Sequence, residues 1–283
     1  VKHDPSGAKL WTRQLGTSSS DVALGVSVDG SGNAYVTGHT FGDLDGTNAG
    51  LCDIFLVKYD PSGSKLWTRQ MGTAASDYAH GVDSDASGNI YVAGYTDDDL
   101  DGNTSTGGYD LFLVKYGASG TKLWTRQLGT ASDEYANGVA VDTSGNAYVT
   151  GYTNGGLDGN TNAGDRDLFL VKYDASGTKQ WTRQMGTTAA DVARGMTVDN
   201  AGNAYVTGWT GDGLDGNASA GGWDLFLVKY NPSGTKLWTR QLGTSTAEQA
   251  YGAAVGTSGA YITGYTLGGL DGNTNAGSDD YFL

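Results

Sequence analysis

The chain is poor in everything that would carry a helical, disulfide-bonded or membrane-inserted protein. It has one cysteine, Cys52, among 283 residues, which excludes an intrachain disulfide framework and a cysteine-built zinc site. Glutamate occurs only at Glu134 and Glu248, against 29 aspartates. Asp favours turns and Glu favours helices, so the skew points away from helical structure. No apolar run reaches the roughly 18 residues that a membrane-spanning helix requires. Basic residues number 17 against 31 acidic ones, a net charge of −14, which argues against nucleic acid and anionic lipid as partners. Catalytic signatures are missing as well. There is no HExxH, GxSxG, Walker loop or GxGxxG before a helix, and the histidines are only His3, His39 and His80.

What is present is turn-forming and strand-forming. The 47 glycines, the aspartates and 38% apolar content describe a turn-dense all-β chain and exclude a disordered one. Trp11, Trp67, Trp124, Trp181 and Trp238 are spaced 56, 57, 57 and 57 apart, and each opens a WTRQ string. Asp-Gly pairs at Asp45, Asp101, Asp158, Asp215 and Asp271 keep the same beat. Residues 1–283 therefore read as one domain of five repeats of about 57 residues. In the third copy, four strands are expected over Gly138–Asp142, Ala147–Thr153, Leu168–Asp174 and Lys179–Gly186. The LFLVKY run is apolar on both faces, so its sheet must be covered on both sides. A four-stranded antiparallel unit packed by neighbours on each face is a propeller blade.

The strings GVAVDTSGNAYVTGYT (residues 138–153) and DLFLVKYDASGTKQWTRQMGT (residues 167–187) resemble the SBBP-type β-propeller repeat of bacterial and archaeal surface proteins. The resemblance covers essentially the whole chain. It implies the propeller fold and an extracellular or cell-surface location, and no particular activity. One departure is VGTSGAY (Val255–Tyr261), which lacks the turn Asp of the other copies. The ends are complementary: DYFL at the C-terminus followed by VKHD at the N-terminus reproduces the DLFLVKYD strand. The fold expected is thus an all-β, five-bladed propeller of four-stranded antiparallel blades, closed by strands from both termini. The absent initiator Met suggests a trimmed product.

Repetition separates structural residues from candidate functional ones. Fifteen of the 17 basic residues fall at three repeated positions, those of Lys58, Lys65 and Arg69; only Arg166 and Arg194 lie outside. The Trp67-type residue is expected between blades, with Arg69 paired to a repeated acid. The turn acids Asp29, Asp85, Asp142 and Asp199 should accept hydrogen bonds from turn amides. Asp21, Asp77, Glu134, Asp191 and Glu248 precede the innermost strand and are expected around one channel mouth, either held by the fold or forming a negative funnel for a cationic partner. Just beyond them, Leu24, His80, Asn137, Arg194 and Tyr251 vary within an otherwise uniform repeat.

The long loop offers a second set. Asp158, Asn160, Asn162 and Asp167 present oxygens at alternate positions, as do Asp271, Asn273, Asn275 and Asp280. Asp101, Asn103 and Asp110 approximate the pattern, as do Asp215, Asn217 and Asp224. Such hard oxygens suit calcium, and Asx turns explain the same residues. The reading is a non-catalytic structural or protein-interaction module at the cell surface, with calcium as its one candidate cofactor. Its partner would be an unidentified protein or glycan, with no nucleic acid, no membrane insertion, and a larger assembly open to it. One rival is a lectin-like propeller stacking sugars on Tyr95, Tyr152, Trp209 and Tyr265. The other is a glycosidase, which would need a unique acid pair where nearly every acid has counterparts.

Overall fold

Short runs of Val, Tyr, Thr and Phe between Gly-containing turns set the architecture. The computed structural model describes residues 1–283, with 21 strands in six antiparallel sheets. A two-stranded hairpin of β1 (Lys2–His3) and β2 (Lys9–Trp11) comes first. Four four-stranded sheets follow. They are β3 (Asp21–Val28) with β4 (Ala34–Thr40), β5 (Asp53–Tyr59) and β6 (Lys65–Met71), then β7 (Asp77–Ser84) with β8 (Ile90–Thr96), β9 (Asp110–Tyr116) and β10 (Lys122–Leu128). Next are β11 (Glu134–Val141) with β12 (Ala147–Thr153), β13 (Asp167–Tyr173) and β14 (Lys179–Met185), and β15 (Asp191–Val198) with β16 (Ala204–Thr210), β17 (Asp224–Tyr230) and β18 (Lys236–Leu242). Last is a three-stranded sheet of β19 (Glu248–Gly256), β20 (Gly259–Thr266) and β21 (Asp280–Phe282). Strands pair in sequence order, with five-residue turns joining the first and last strand pairs of each four-stranded sheet and a long loop joining the second strand to the third.

The first turn of each blade is built as its sequence predicts. Asp142 Oδ1 accepts the amides of Ser144 and Asn146 at 2.9 Å each, and Gly145 takes φ 78°. The first strands β3, β7, β11, β15 and β19 pack side by side in series and form the inner edge. All seven residues of β13 are buried, as a strand covered on both faces must be.

The sheets β3–β6, β7–β10 and β11–β14 each grip the next through side chains of their last two strands. Lys172 Nζ donates to Pro232 O at 3.1 Å, Trp181 Nε1 to the same carbonyl at 3.2 Å, and Arg183 Nε to Gly234 O at 2.7 Å. The guanidinium lies 5.2 Å over its own Trp181 ring, and Lys172 Nζ lies 4.9 Å over Tyr148. Lys58 and Arg69 grip Ala118 and Gly120 in the same way, and Lys115 and Arg126 grip Ala175 and Gly177. The Trp is between blades as expected. The Arg is not paired to a repeated acid: it satisfies backbone carbonyls of the neighbouring turn, and the sole approach to an acid is Arg69 to Asp45 at 3.9 Å on the surface. Charge-assisted bonds to carbonyls held out by a tight turn are each worth about 1.5–3 kcal/mol.

A further sequence expectation, on the inner strand, needs correction. The acids of the proposed mouth are the first residues of the inner strand, not residues before it, because that strand begins four positions earlier than its Val-rich part suggests. The two half strands at the termini do not merge into one sheet. β1 pairs only with β2, while β21 pairs only with Gly264–Thr266 of β20. Each half is anchored on its own neighbours, β1–β2 through Lys2 and Trp11 to Pro61 and through Arg13 to Gly63.

The gripped turn makes a prediction. Gly177 has φ 82°, and a Cβ there would sit 2.9 Å from the Trp124 ring; Gly159 has φ 79° and open space around it. Gly159→Ala should cost only the left-handed penalty of about 1–2 kcal/mol. Gly177→Ala should cost about 1–3 kcal/mol more, the overpacking term, as measured by urea denaturation.

Candidate functional site

The inner strands all carry the same irregularity. Register slips between Ala23 and Gly25, Ala79 and Gly81, Ala136 and Gly138, Ala193 and Gly195, and Ala250 and Gly252. The extra residue of each β-bulge is Leu24, His80, Asn137, Arg194 or Tyr251, the position that varies between copies. A bulge leaves its residue unpaired in the ladder and re-aims it. At three of the bulges the glycine that follows is required by crowding: a Cβ on Gly25 would lie 2.8 Å from His80 O, one on Gly81 2.9 Å from Val139 N, and one on Gly195 2.5 Å from Tyr251 O. The sequence marked these positions as variable but gave no sign of the bulge.

Around the bulges, at the end where the inner strands begin, stands an aromatic girdle. His39 meets Tyr78 at 4.8 Å, Tyr78 meets Tyr95 at 5.1 Å, Tyr95 meets Tyr135 at 4.7 Å, and Tyr135 stacks on Tyr152 at 4.8 Å. His80 stacks on Tyr95 at 5.2 Å, and Arg166 lies 5.3 Å over Tyr152. Trp209, 5% exposed, packs on Trp223 at 4.8 Å. The rings offered for sugar stacking are therefore covered by one another. Tyr152 has Tyr135 on one side and Arg166 on the other, and Tyr265 is stacked with Tyr251.

The five acids form no open funnel. Asp77, Glu134, Asp191 and Glu248 are fully buried, and Asp21 is half-buried. Glu134 accepts Thr130 N at 2.5 Å, Thr130 Oγ1 at 2.8 Å and Thr153 Oγ1 at 2.5 Å. Asp21 takes Thr17 N at 2.6 Å and Thr40 Oγ1 at 2.5 Å. Glu248 accepts Thr244 N at 2.6 Å, and Asp191 accepts Thr187 Oγ1 at 2.9 Å. Burial pushes the carboxyls of Asp77, Glu134 and Asp191 upward. At Asp21 burial pushes the same way, but the bonds from Thr40 and Thr17 outweigh it and the carboxyl is lowered. These carboxylates brace the loop that enters the inner strand.

Most of the long-loop side chains are likewise engaged within the loop or by the last strand. Asp101, Asp158 and Asp215 take the left-handed conformation, and each binds the lysine of its own blade's last strand: Lys122, Lys179 and Lys236. Asp271 has the same φ, 50°. Asn103, Asn160, Asn217 and Asn273 donate to the carbonyl three residues back, and Asn162 and Asn275 accept Gly164 N and Gly277 N. Asp110, Asp167 and Asp224 hold Gln127, Gln184 and Gln241, and Asp280 holds Ala276 N. The same glutamines accept the amides of Leu100, Leu157 and Leu214. No three His, Cys, Asp or Glu side chains stand where they would share a metal ion. Cys52 is fully buried, its thiol directed at Asp77 O and pushed up by burial.

The chain has been compared with known proteins. Residues 10–45, 66–101, 123–158 and 180–215 match the SBBP family, a beta-propeller repeat. "Regulatory protein FlaEY" of Caulobacter vibrioides is 26% identical, over 100% of this chain and 34% of its own length. "Uncharacterized WD repeat-containing protein L264" of Acanthamoeba polyphaga mimivirus is 26% identical, over 66% of this chain and 17% of its own. The chain thus spans about a third or less of these relatives. Among solved structures, a gluconolactonase from Xanthomonas campestris has 12% identity and a TM-score of 0.47, covering 86% of this chain and 69% of that one. The Pan2 WD40 domain of Neurospora crassa has 9% identity and a TM-score of 0.47, covering 87% and 73%.

His80 carries the prediction for this site. Burial, with His39 and Arg194 adding repulsion, lowers its imidazole to about 4. The unfolded imidazole takes its proton near 6.5, so between those values the unfolded chain binds more protons and stability rises with pH. NMR titration of the imidazole should therefore give a midpoint near 4. His80→Gln should remove part of the stability lost on acidification from about pH 6.5 to 4, measured against the same carboxylates in the parent chain.

Proposed function

We propose that this chain, which belongs to the SBBP beta-propeller repeat family, is a non-catalytic protein-interaction module that meets its partner with the girdled end of its inner strands. The observation that carries the reading is where the five copies differ. Grip, turn and loop residues repeat, while the bulge residues Leu24, His80, Asn137, Arg194 and Tyr251 are aliphatic, imidazole, amide, guanidinium and phenol. A uniform scaffold that presents five unlike side chains suits recognition of one asymmetric surface. A regulatory protein and a WD repeat-containing protein among the relatives accord with it. A cell-surface location belongs to the same proposal and rests on the family resemblance.

The test is capture on the immobilised chain. Replacing all five bulge residues by Ser should abolish capture of the specific partner while leaving the melting midpoint within a few degrees. Undiminished capture by that variant would sink the assignment, and turnover of any lactone or glycoside by the pure chain would overturn the non-catalytic part.

The finer fold belongs here too: five blades closed into a ring, with β19–β21 and β1–β2 forming one blade. The unpaired groups at the two ends are complementary. A groove of about 420 Å³ beside β20 and β21 is lined by Leu270, Asp271 and Asp280, the residues that in other blades meet the last strand. A second groove of about 650 Å³, between the β1–β2 hairpin and β3–β5, is lined by Val26, Val28 and Phe55 and has the place of an inner strand pair. Closure would bring Lys9 to Asp271, Gln14 to Asp280, and the Lys229–Trp238–Arg240 grip onto the turn at Gly7. Gly7 has φ 86° and open space around it. In the closed ring, Gly7→Ala should destabilise as much as Gly177→Ala. A loss no greater than that of Gly159→Ala, or a solution mass above that of the monomer, would rule closure out.

A further inference from the structure

Fifteen of the 17 basic side chains stand at repeated positions, where eleven grip a neighbouring turn or bind a loop aspartate; Arg166 and Arg194 stand outside the repeat. Neither makes an ion pair, in a chain with 31 acids to choose from. Both stand at the girdle. Arg166 precedes β13, fixed there because its carbonyl accepts Asp191 N at 2.7 Å. Arg194 is the bulge residue of β15. The two guanidiniums act on one phenol, that of Tyr152, each opposing the upward push of burial. The Nε atom of each is buried and has no hydrogen-bond partner. His39 Nδ1 and Trp209 Nε1 share that condition, so every buried side-chain nitrogen without a partner lies at this end. Asp133, the one acid that acts on the Tyr152 phenol, is committed to Tyr109 N at 3.0 Å and Tyr135 Oη at 3.4 Å. Asp165 points out on the exposed loop.

Two like charges beside one ring, with buried donors unused, make an incomplete constellation. We propose that Arg166 and Arg194 together receive one carboxylate of a partner protein, an Asp or Glu side chain set in an otherwise uncharged segment. This rests on the interaction reading above and names its chemistry. A guanidinium recognises a carboxylate through paired N–H bonds. An uncharged surround follows from the −14 of the chain, which repels an acidic run at long range. A peptide is favoured over an acidic sugar because the ring faces of Tyr95 and Tyr152 are already covered, leaving no platform for a pyranose.

The test uses the full chain with ¹⁵N-labelled arginine, titrated with short uncharged peptides bearing one central Asp and with their Asn counterparts. Asp peptides should shift the Nε–H resonances of Arg166 and Arg194 and bind at least about tenfold tighter than Asn peptides, the value of one charge-assisted bond. Arg166→Gln and Arg194→Gln should each erase most of that preference, and Arg194→Lys should keep part of it. The preference in the parent chain needs no variant, so a poorly folding substitution does not block the test. Equal binding of Asp and Asn peptides would overturn the proposal, as would unmoved arginine resonances. Shifts produced by oligogalacturonate alone would overturn the peptide assignment in favour of an acidic glycan. Partner capture lost in the five-Ser chain but intact in Arg166→Gln and Arg194→Gln would overturn this inference while leaving the interaction reading standing.

Discussion

A lysine, a tryptophan and an arginine of one blade, closed on the second turn of the next, hold the series together. The turn is what makes the grip possible. Its left-handed glycine leaves room for the indole and turns its carbonyls outward, toward donors that arrive about 50 to 60 residues earlier in the chain. The grip joins charge to neutral backbone rather than charge to charge. That spares each blade a buried pair of ions, whose desolvation often exceeds their attraction. The aspartates are thereby released for turns, loops and strand starts, which is why an acid-rich chain tolerates so many of them.

The inner edge obeys a second constraint. Adjacent inner strands approach so closely at Gly25, Gly81 and Gly195 that only glycine fits after the bulge, and the bulge itself removes one residue from the ladder. The buried carboxylate at the head of the strand and the threonines bonded to it fix where the strand starts. Between these two fixed points lies the bulge residue, left out of the ladder. Variation gathers there because the ladder asks for no one residue type, even where Asn137 ties its strand to Ala193 O of the next.

Repeats, strand order and turn chemistry were legible because they are local. Period, alternation and Asp-x-x-Gly turns are written within a few residues of where they act. Arg69 was expected to find an acid, since opposite charges in every copy invite pairing, but its partner is a backbone carbonyl in the next repeat, which no residue identity encodes. The loop residues Asp158, Asn160 and Asn162 showed calcium-like spacing; Lys179 takes Asp158, Asn162 accepts Gly164 N, and Asn160 donates to Leu157 O, in a fold whose loop doubles back on its own last strand. The five mouth acids had the right end of the blade and the wrong exposure. Gln184, which ties Leu157 and Asp167 together, drew no attention because an amide in a strand carries no motif.

The grip reaches only to the next blade, whatever the number of blades. The chain therefore behaves as a one-dimensional array in which each unit feels its nearest neighbours and nothing beyond. Its contacts have one characteristic loop length, about a single repeat, so the entropy of closing each new interface does not grow as the chain lengthens. Folding can begin at any adjacent pair and extend in both directions. Local opening has a gradient: easiest at β19–β21, which no grip reaches, and hardest at β3–β6, β7–β10 and β11–β14, each of which grips one neighbour and is gripped by another.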